Sequence, residues 1–253
     1  MAHSFRLNKA MYILEIKNLK KSFGGVHAVS GLTLSFARGT VTSIVGPNGS
    51  GKTTLVNVLS GVHAMDGGTV SVAGATLHAI NPEELPALGI TRTFQDVRLF
   101  EQMTVFDNIL VVLTARNPYR ALFERAASAH RARVEEVLTK VGLWEKRNEL
   151  AYNLSYGQRK LLEVARVLAM DTEIILFDEP FAGLFKEMVK VIVGIIKELR
   201  AAGKTVLLIE HNMDLIRELS DHVVVMDAGA LLAEGVAHEV LARRDVIEAY
   251  LGE

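Results

Sequence analysis

The chain of 253 residues contains no cysteine. This absence excludes disulfide bonds and thiolate metal sites, and it fits a reducing compartment. The chain also lacks an excess of charge of one sign, because 28 Lys and Arg residues stand against 29 Asp and Glu residues, a formal net charge of −1. That balance gives no electrostatic reason to expect nucleic acid as a partner.

Long hydrophobic runs are missing too, although 49% of the residues are hydrophobic. No stretch approaches the ~18 uninterrupted apolar residues of a membrane-spanning helix. The longest runs, such as 223–226, have the length of strands. We therefore expect that the chain does not cross a membrane by itself. No signal-peptide pattern opens the sequence, and residues 1–10 are interpreted as a polar N-terminal extension, with Met11 an equally suitable natural start.

A phosphate-binding pattern, G-x-x-x-x-G-K-T, begins at position 46. The apolar run 41–45 predicts a buried strand before it, and 54–59 predicts a helix after it. This context favours a nucleotide site over a chance glycine-rich turn. Backbone N–H groups would point at phosphate oxygens, Lys52 would reach the β- and γ-phosphates, and the Thr53 hydroxyl would ligate Mg²⁺. We expect ATP and Mg²⁺ as ligands, and a nucleotide-binding segment of Gly46, Pro47, Asn48, Gly49, Ser50, Gly51, Lys52, Thr53 and Thr54.

Two kinds of β structure are predicted. Alternating apolar residues within 12–36 and turn glycines in 67–74 indicate a small antiparallel β region at the N-terminal end. Later in the chain, continuous apolar runs at 174–177, 205–209 and 223–226 alternate with helical patterns. Such runs are typical of strands buried on both faces, so this part predicts a βαβαβ arrangement and a largely parallel sheet.

A helical period occupies the middle of the chain, from about 104 to 141, and Asn117 and Pro118 interrupt it. We interpret residues of about 95–165 as an α-helical subdomain inserted into the β structure. The expected fold class is therefore α/β, a phosphate-loop NTPase with an N-terminal antiparallel β region and a largely parallel core sheet. Residues 11–253 would form one domain that includes the helical insertion.

Two adjacent carboxylates, Asp178 and Glu179, follow the apolar run 174–177. Acidic residues commonly end strands, so an ordinary strand-to-loop transition is the structural alternative. With Lys52 already placed in a phosphate loop, the catalytic interpretation is favoured. Asp178 would hold Mg²⁺ at the end of a buried strand, and Glu179 would act as the general base that polarises an attacking water.

The pentapeptide L-S-Y-G-Q at 154–158 precedes a predicted amphipathic helix. Taken alone, Ser155 is a good helix N-cap followed by a permissive glycine. In this context the segment resembles the L-S-G-G-Q signature of ATP-binding-cassette (ABC) ATPases, with Tyr156 at the position usually held by glycine or another tolerated residue. The order and spacing of the phosphate loop, this segment and Asp178 also agree. The chain thus resembles an ABC transporter ATPase subunit over nearly its full length.

The resemblance implies roles for further residues. Gln95 matches the family's Q-loop glutamine, which contacts Mg²⁺ and the attacking water. His211 matches the switch histidine that contacts the γ-phosphate, and Phe23 matches the aromatic residue that stacks on adenine. The structural alternative is that His211 is an ordinary surface or core residue and Phe23 an ordinary core residue, which is the commoner case for a lone histidine and for an aromatic residue in a β region. The implied catalytic residues are Lys52, Gln95, Glu179 and His211; the implied metal ligands are Thr53, Gln95 and Asp178; and the implied contacts to the ATP of a second subunit are Ser155, Gly157 and Gln158.

Stretches outside the catalytic motifs narrow the resemblance. Residues 89–95, 98–105 and 249–253 are similar to the importer ATPases for branched-chain and hydrophobic amino acids, and urea or amide importers share much of them. One residue departs from the family pattern: Phe185 follows A-G-L where the D-loop normally has Asn or Asp. A bulky apolar residue cannot make the usual polar contacts to the opposing phosphate loop, which puts the coupling of the two ATP sites in doubt.

The resemblance implies an ATPase bound peripherally at the cytoplasmic face of the cell membrane. Its partners would be transmembrane permease subunits, a second ATPase subunit of the same or a homologous chain, and an extracytoplasmic substrate-binding protein, with no nucleic acid. The loop 96–108 would present a docking surface through Val97, Leu99, Phe100 and Val105, although these residues could equally belong to the core.

Two other functions compete with the importer. A soluble ABC ATPase acting on a macromolecule is disfavoured because the chain has one cassette, no sustained heptads and no basic excess. A nucleotide-binding module that no longer hydrolyses ATP has Phe185 as its only support.

Overall fold

The computed structural model describes residues 11–95, 97–114 and 127–251. They form two compact units, of which the second comprises Thr93–Thr172 and Pro180–Ile195 and the first comprises the rest. Short 3₁₀ helices occur at Pro82–Glu84, Trp144–Lys146 and Ala151–Asn153. The other elements, in chain order, are β1 (Tyr12–Phe23), β2 (Val26–Ala37), β3 (Val41–Val45), α1 (Lys52–Leu59), β4 (Gly67–Val72), β5 (Ala75–Leu77), β6 (Ile90–Arg92), α2 (Val105–Leu113), α3 (Ala127–Lys140), α4 (Tyr156–Ala169), β7 (Ile174–Asp178), α5 (Lys186–Ala201), β8 (Thr205–Ile209), α6 (Met213–Leu219), β9 (His222–Asp227), β10 (Ala230–Gly235), α7 (Ala237–Val240) and α8 (Arg244–Leu251).

Two sheets build the first unit. The antiparallel sheet has the strand order β2-β1-β4-β5, and the other sheet has the order β10-β9-β3-β8-β7-β6. In the second sheet β3 pairs in parallel with both β8 and β9, and only the edge strand β10 is antiparallel. The predicted antiparallel region and largely parallel core sheet are therefore confirmed. The strand β3, which leads into the phosphate loop, lies in the interior of the sheet.

Burial along the strands explains why the sequence patterns differ. In β2 the buried residues Leu32, Leu34 and Phe36 alternate with exposed ones, as expected when one face of a sheet meets water. Every residue of β3, β7 and β8 is buried, because both faces of this sheet are covered. Neighbouring residues of a strand point to opposite faces, so Ile44 and Val45 enter different hydrophobic clusters.

The two clusters fix β3 from both sides. The larger cluster joins both sheets through helix α1, whose residues Leu55, Val56, Val58 and Leu59 are buried in it. The smaller cluster packs Ile216 of α6, Val240 of α7 and Val246 of α8 against Val45, Val223 and Val225. Burying apolar area on both faces holds the end of β3 in place, and the phosphate loop begins at that end.

Helices α2, α3 and α4 pack against one another in the second unit. The predicted apolar stripe of α3 is confirmed, since Val134, Val137 and Leu138 are buried. Helix α4 continues to Ala169, and the second unit extends to Thr172 and includes Pro180–Ile195, so it is larger than the predicted insertion at 95–165. The sequence patterns did not assign Pro180–Ile195 to this unit, because β7, which belongs to the first unit, lies between it and α4 in the chain.

Single elements differ from the sequence patterns in two places. Asp178 forms the last residue of β7 instead of following the strand. Strands β6 and β10 were not predicted, since β6 has only three residues and β10 lies at the sheet edge. The interruption at Asn117 and Pro118, and the terminal Gly252 and Glu253, lie outside the described residues.

Within the described ranges, no helix is both long and apolar enough to cross a membrane.

Candidate nucleotide-binding and hydrolysis site

The phosphate loop depends on two glycines that other backbone groups approach closely. Gly46 has φ +147°, and a Cβ there would lie 2.0 Å from the carbonyl oxygen of Met226 in β9. Gly51 has φ +100°, and its Cβ would lie 2.2 Å from the carbonyl oxygen of Ala28 in β2. Any larger residue at either position would collide with backbone, so the loop is held in one conformation by its neighbours.

Lys52 closes over this loop. Its ammonium group donates to the carbonyl oxygens of Gly46 at 2.8 Å and Pro47 at 2.9 Å, and to the Ser50 hydroxyl at 3.3 Å. Burial lowers the pKa of Lys52, and the negative charge of Glu179 opposes that effect. The Lys52 amino group therefore lies within electrostatic reach of Glu179.

Helix α1 starts directly at Lys52 and has a free N-terminal end. Gly51 occupies its N-cap without a side-chain hydrogen bond, and its first turn contains no acidic residue. Unsatisfied N–H groups and the helix dipole make such an end suitable for an anion. Asn48, Gly49 and Thr53 are exposed, Pro47 and Thr54 are half-buried, and Ser50 is buried.

Asp178 is held by a buried ion pair. The Arg92 guanidinium at the end of β6 donates to Asp178 Oδ2 at 2.7 Å, and both side chains are almost completely buried. The same guanidinium donates to Asn57 Oδ1 at 2.7 Å and to the Ser60 hydroxyl at 2.6 Å. Since Asn57 belongs to α1 and Ser60 is its C-cap, Arg92 connects the carboxylate of β7 to the helix that follows the phosphate loop.

Glu179 and His211 meet at the carboxyl ends of β7 and β8. His211 Nε2 lies 3.2 Å from Glu179 Oε1, and both side chains are partly exposed. Glu179 has φ +48°, a left-handed conformation that is uncommon for residues other than glycine, and its N–H donates to the Ile209 carbonyl at 3.1 Å. Strained backbone of this kind concentrates at functional sites and costs on the order of 1–3 kcal/mol. The two predicted catalytic residues are thus adjacent.

The segment that carries His211 is braced by the residue before it. Glu210 is buried, and its carboxylate accepts the N–H groups of His211 at 2.9 Å and Asn212 at 3.1 Å. Burial raises the pKa of Glu210, and these two hydrogen bonds oppose the rise. Asn212 in turn caps α6 by accepting the N–H groups of Asp214 and Leu215.

Phe23 lies at the end of β1 and is 43% exposed, so it is not a core residue. The edge of the His63 ring contacts it at a centroid distance of 5.1 Å, and the Lys21 ammonium lies 5.2 Å from its centroid. A partly exposed ring in the same unit as the phosphate loop fits its predicted part in adenine stacking.

The second unit contains the remaining predicted residues. Ser155 caps α4 in a reciprocal arrangement, since its hydroxyl accepts from the Gln158 N–H while the Gln158 side chain accepts from the Ser155 N–H. Ser155 is exposed, and Gly157 is buried because a Cβ there would meet the Met188 side chain at 2.4 Å. Gln95 is exposed, and its carbonyl oxygen accepts from the Lys160 ammonium at 2.9 Å.

Comparisons with known proteins decide the family. The model of the family described as ABC transporter matches residues 29–182, a range that includes the phosphate loop, Gln95, Ser155 and Glu179. The chain belongs to the ABC transporter family.

Individual relatives agree with this assignment over nearly the whole chain. The chain is 39% identical to the high-affinity branched-chain amino acid transport ATP-binding protein BraF of Pseudomonas aeruginosa, and the match covers 95% of this chain and 98% of BraF. It is 38% identical to the corresponding protein LivG of Salmonella typhimurium, with the same coverage.

Solved structures of ATP-binding cassettes resemble the chain as well. A nucleotide-free cassette from an ABC transporter superposes with a TM-score of 0.83 at 36% identity, covering 96% of this chain and all of that one. A dimeric cassette in a post-hydrolysis state, bound to ADP and Pi, superposes with a TM-score of 0.78 at 25% identity, covering 88% and 98%. The fold is that of an ABC ATPase.

The structure of this ABC ATPase adds residues that the sequence patterns did not reveal. Arg92, Lys160 and Glu163 are buried charges that bind site segments, and Glu210 orders the backbone of His211. The only signal for them in the sequence is a charged residue inside an apolar run or on an apolar helix face. Tyr250 of α8 is a further case, since burial raises the pKa of its phenol and the backbone of Gly46 opposes the rise.

Replacement of Gly46 tests the close approach that shapes the loop. In Gly46→Ala the added methyl would meet the Met226 carbonyl, so the loop has to move. We expect nucleotide affinity, measured by calorimetric titration with ATP, to fall at least about tenfold, or 1.4 kcal/mol. Gly49→Ala is the matched control, because Gly49 also has positive φ (+82°) while no described atom lies within 4 Å of its Cβ position. Equal losses in the two variants would contradict this account.

A second prediction concerns the pH dependence of stability. Burial raises the pKa of Glu163 from 4.5 to about 7, while the Phe94 N–H and the charges of Lys160 and Arg166 oppose the rise. The folded chain therefore keeps a proton that the unfolded chain releases, so its stabilising effect is complete below pH 4.5 and is lost as the pH rises through 7. We expect wild type to lose up to about 3 kcal/mol of stability relative to Glu163→Gln across this window.

Urea unfolding of both proteins between pH 4.5 and 8 measures this difference. The exposed Glu135 of α3 provides the control Glu135→Gln, which should follow the wild-type pH profile. A difference between wild type and Glu163→Gln that stays constant with pH would show that Glu163 does not titrate in this range.

Proposed function

We propose that the chain is the ATP-hydrolysing subunit of an importer for branched-chain or other hydrophobic amino acids. The ATP-hydrolysing role is supported by the Glu179–His211 pair at the carboxyl ends of β7 and β8. This pair lies in the same unit as the phosphate loop and Lys52. The solute class is supported by BraF and LivG, which are branched-chain amino acid transport ATP-binding proteins and align over 95% of this chain.

Lys52 and the phosphate loop would bind the β- and γ-phosphates of ATP. The N–H groups at the start of α1 face no side-chain cap, so they are available to phosphate oxygens. The ammonium of Lys52 already binds three oxygens of the loop, and phosphate oxygens are acceptors of the same kind. Phe23 would stack on the adenine ring.

The oxygen donors at this end of the sheet suit Mg²⁺. The Thr53 hydroxyl is exposed, and Asp178 supplies a carboxylate; in the described part of the chain no group of three His, Cys, Asp or Glu side chains forms a metal site of its own. Mg²⁺ binds through one or two protein oxygens together with waters and phosphates, so this set fits. Thr53 and Asp178 would hold the ion, which would neutralise charge that develops on the phosphates. The resemblance to ABC ATPases implies that Gln95 also takes part in hydrolysis.

Glu179 would accept the proton of the attacking water, and His211 would hold that carboxylate in place. The 3.2 Å contact lets the imidazole N–H donate to Glu179 and so restrict its rotation. The buried Glu210 fixes the backbone of His211, and the left-handed backbone of Glu179 sets where its side chain leaves the strand. Hydrolysis then relies on positioned groups and fixed charges.

Transport requires partners. The family assignment implies permease subunits and a dimer of ATPases, and we propose that Ser155, Gly157 and Gln158 of one subunit complete the ATP site of another. The exposed N-terminal end of α4 supports this role, because its capped first turn faces outward. Phe185 is 77% exposed in the D-loop, where a polar residue is usual. An extracytoplasmic substrate-binding protein and a place at the cytoplasmic face of the membrane belong to the same proposal.

Substitution of Glu179 tests the hydrolytic role. Glu179→Gln keeps the size of the side chain and removes the base, so we expect ATPase turnover to fall by about 10²-fold or more, the range typical of a general base, while ATP binding stays intact. Phosphate release and calorimetric ATP binding measure the two properties. Glu145→Gln, a change at a side chain that is 91% exposed, is the control. Wild-type turnover in Glu179→Gln would exclude Glu179 as the base.

The docking loop supplies a separate prediction. Phe100 is 45% exposed and Leu99 is half-buried, whereas Val105 is fully buried and so belongs to the core rather than to the predicted surface. We expect Leu99→Asp with Phe100→Asp to abolish copurification with membrane proteins from detergent-solubilised membranes while basal ATPase activity remains. The control is Ile247→Asp at another exposed apolar residue. Unchanged copurification would remove this loop from the docking surface.

The partners recovered in that copurification also test the transport role. Proteins with several apolar spans of ~20 residues would support the importer. A second ATPase among them would indicate a heterodimer. Only soluble partners would contradict the proposal.

A further inference from the structure

Helix α4 carries two buried ionisable side chains one turn apart. Lys160 is 2% exposed and Glu163 is 4% exposed. Removing charges from water is costly unless each is paired and hydrogen-bonded, so such residues need a specific reason to be there. Their hydrogen bonds go to the backbone of the segment that contains Gln95.

Each contact reaches a different backbone atom of this segment. The Lys160 ammonium donates to the carbonyl oxygens of Gln95 at 2.9 Å and Phe94 at 3.4 Å. Glu163 Oε1 accepts the Phe94 N–H at 2.9 Å. The Lys160 hydrogen bonds are charge-assisted, and Glu163 can accept the Phe94 N–H in either protonation state, so the peptide groups on either side of Phe94 are firmly held.

The next turn of the helix continues the pattern. Arg166 donates to the Arg98 carbonyl oxygen, and the Arg98 guanidinium stacks over the Phe94 ring at 4.1 Å. Positions 160, 163 and 166 lie along one side of α4 because residues three apart share a face. One stripe of this helix therefore binds backbone atoms of Phe94, Gln95 and Arg98, while Gln95 is exposed.

The same helix begins at the signature segment. Ser155 caps α4 and Gly157 lies in its first turn, so Lys160 follows the cap by about 7–8 Å along the helix axis. A helix this short moves as one body. A displacement of its signature end would then carry the backbone of Gln95 with it.

We propose that Lys160 and Glu163 are positioning residues that fasten the backbone of Gln95 to the signature helix, so that Gln95 takes its working position only when α4 does. This inference rests on the proposed function, because it assigns the pair a purpose in ATP hydrolysis. Together the two side chains bind backbone atoms of Phe94 and Gln95. The pair acts through Gln95.

A double-mutant cycle between Lys160 and Gln95 tests this coupling. Lys160→Met keeps the length of the side chain and removes its donor. We expect the variant to lower kcat for ATP about tenfold, while KM for ATP stays within about twofold because the phosphate loop is unchanged. Gln95→Ala should lower kcat at least as much. Because Lys160 acts through Gln95, the double variant should be no slower than Gln95→Ala alone, within about twofold.

Conservative and control variants distinguish an effect on the position of Gln95 from a general loss of protein stability. Lys160→Arg retains a long cationic donor, so we expect it to restore most of kcat. Lys140→Met, an identical change at an exposed position of α3, should leave kcat unchanged. Glu163→Ala combined with Gln95→Ala repeats the cycle through the Phe94 N–H, and it replaces the first cycle if Lys160→Met does not fold.

The outcomes distinguish this inference from the function on which it rests. Losses that multiply in the double variant, or a Lys160→Met enzyme with normal kcat, would overturn the role of the pair while ATP hydrolysis by wild type still supports the proposed function. Absence of ATP hydrolysis by wild type would overturn the proposed function itself. If the kcat losses of Lys160→Met and Gln95→Ala do not multiply in the double variant, the result would support the coupling of Lys160 to Gln95.

Discussion

The site depends on close backbone contacts at the start and end of the phosphate loop. Gly46 lies against the Met226 carbonyl and Gly51 against the Ala28 carbonyl, at distances that leave no space for a side chain. Met226 belongs to the parallel sheet and Ala28 to the antiparallel one. Both sheets therefore shape the loop, and the cores on the two faces of β3 keep them in place.

Buried charge is the second recurring feature. Arg92 joins Asp178 to α1, Glu210 orders the backbone of His211, and Lys160 with Glu163 binds the segment of Gln95. Each of these groups pays a desolvation cost that an apolar residue would avoid. In return each fixes a backbone or a carboxylate next to a residue with a proposed part in hydrolysis. Stability alone does not explain such a pattern, whereas positioning does.

The one departure from the family pattern, Phe185, lies in the second unit next to the signature segment's contact with the D-loop. Tyr156 packs its ring near Gly183, where a Cβ would come within 3.0 Å of the ring, and Phe185 is largely exposed two residues later. The D-loop and the signature segment of this chain thus contact each other through an aromatic ring. The consequence of Phe185 for the coupling of two ATP sites stays a prediction.

Local spacing and hydrophobic period were enough to predict the phosphate loop, the β7 carboxylates, the family and most helices and strands. Glu179 was expected in the catalytic site from its place at the end of a strand, and His211 from the resemblance to ABC ATPases. Which buried ionisable residues bind the segments that carry the predicted site residues became visible only in the folded chain. Arg92 meets Asp178 across 86 positions and Lys160 meets Gln95 across 65. No local pattern records such a partner, since burial and the approach of a distant backbone exist only once the chain has folded.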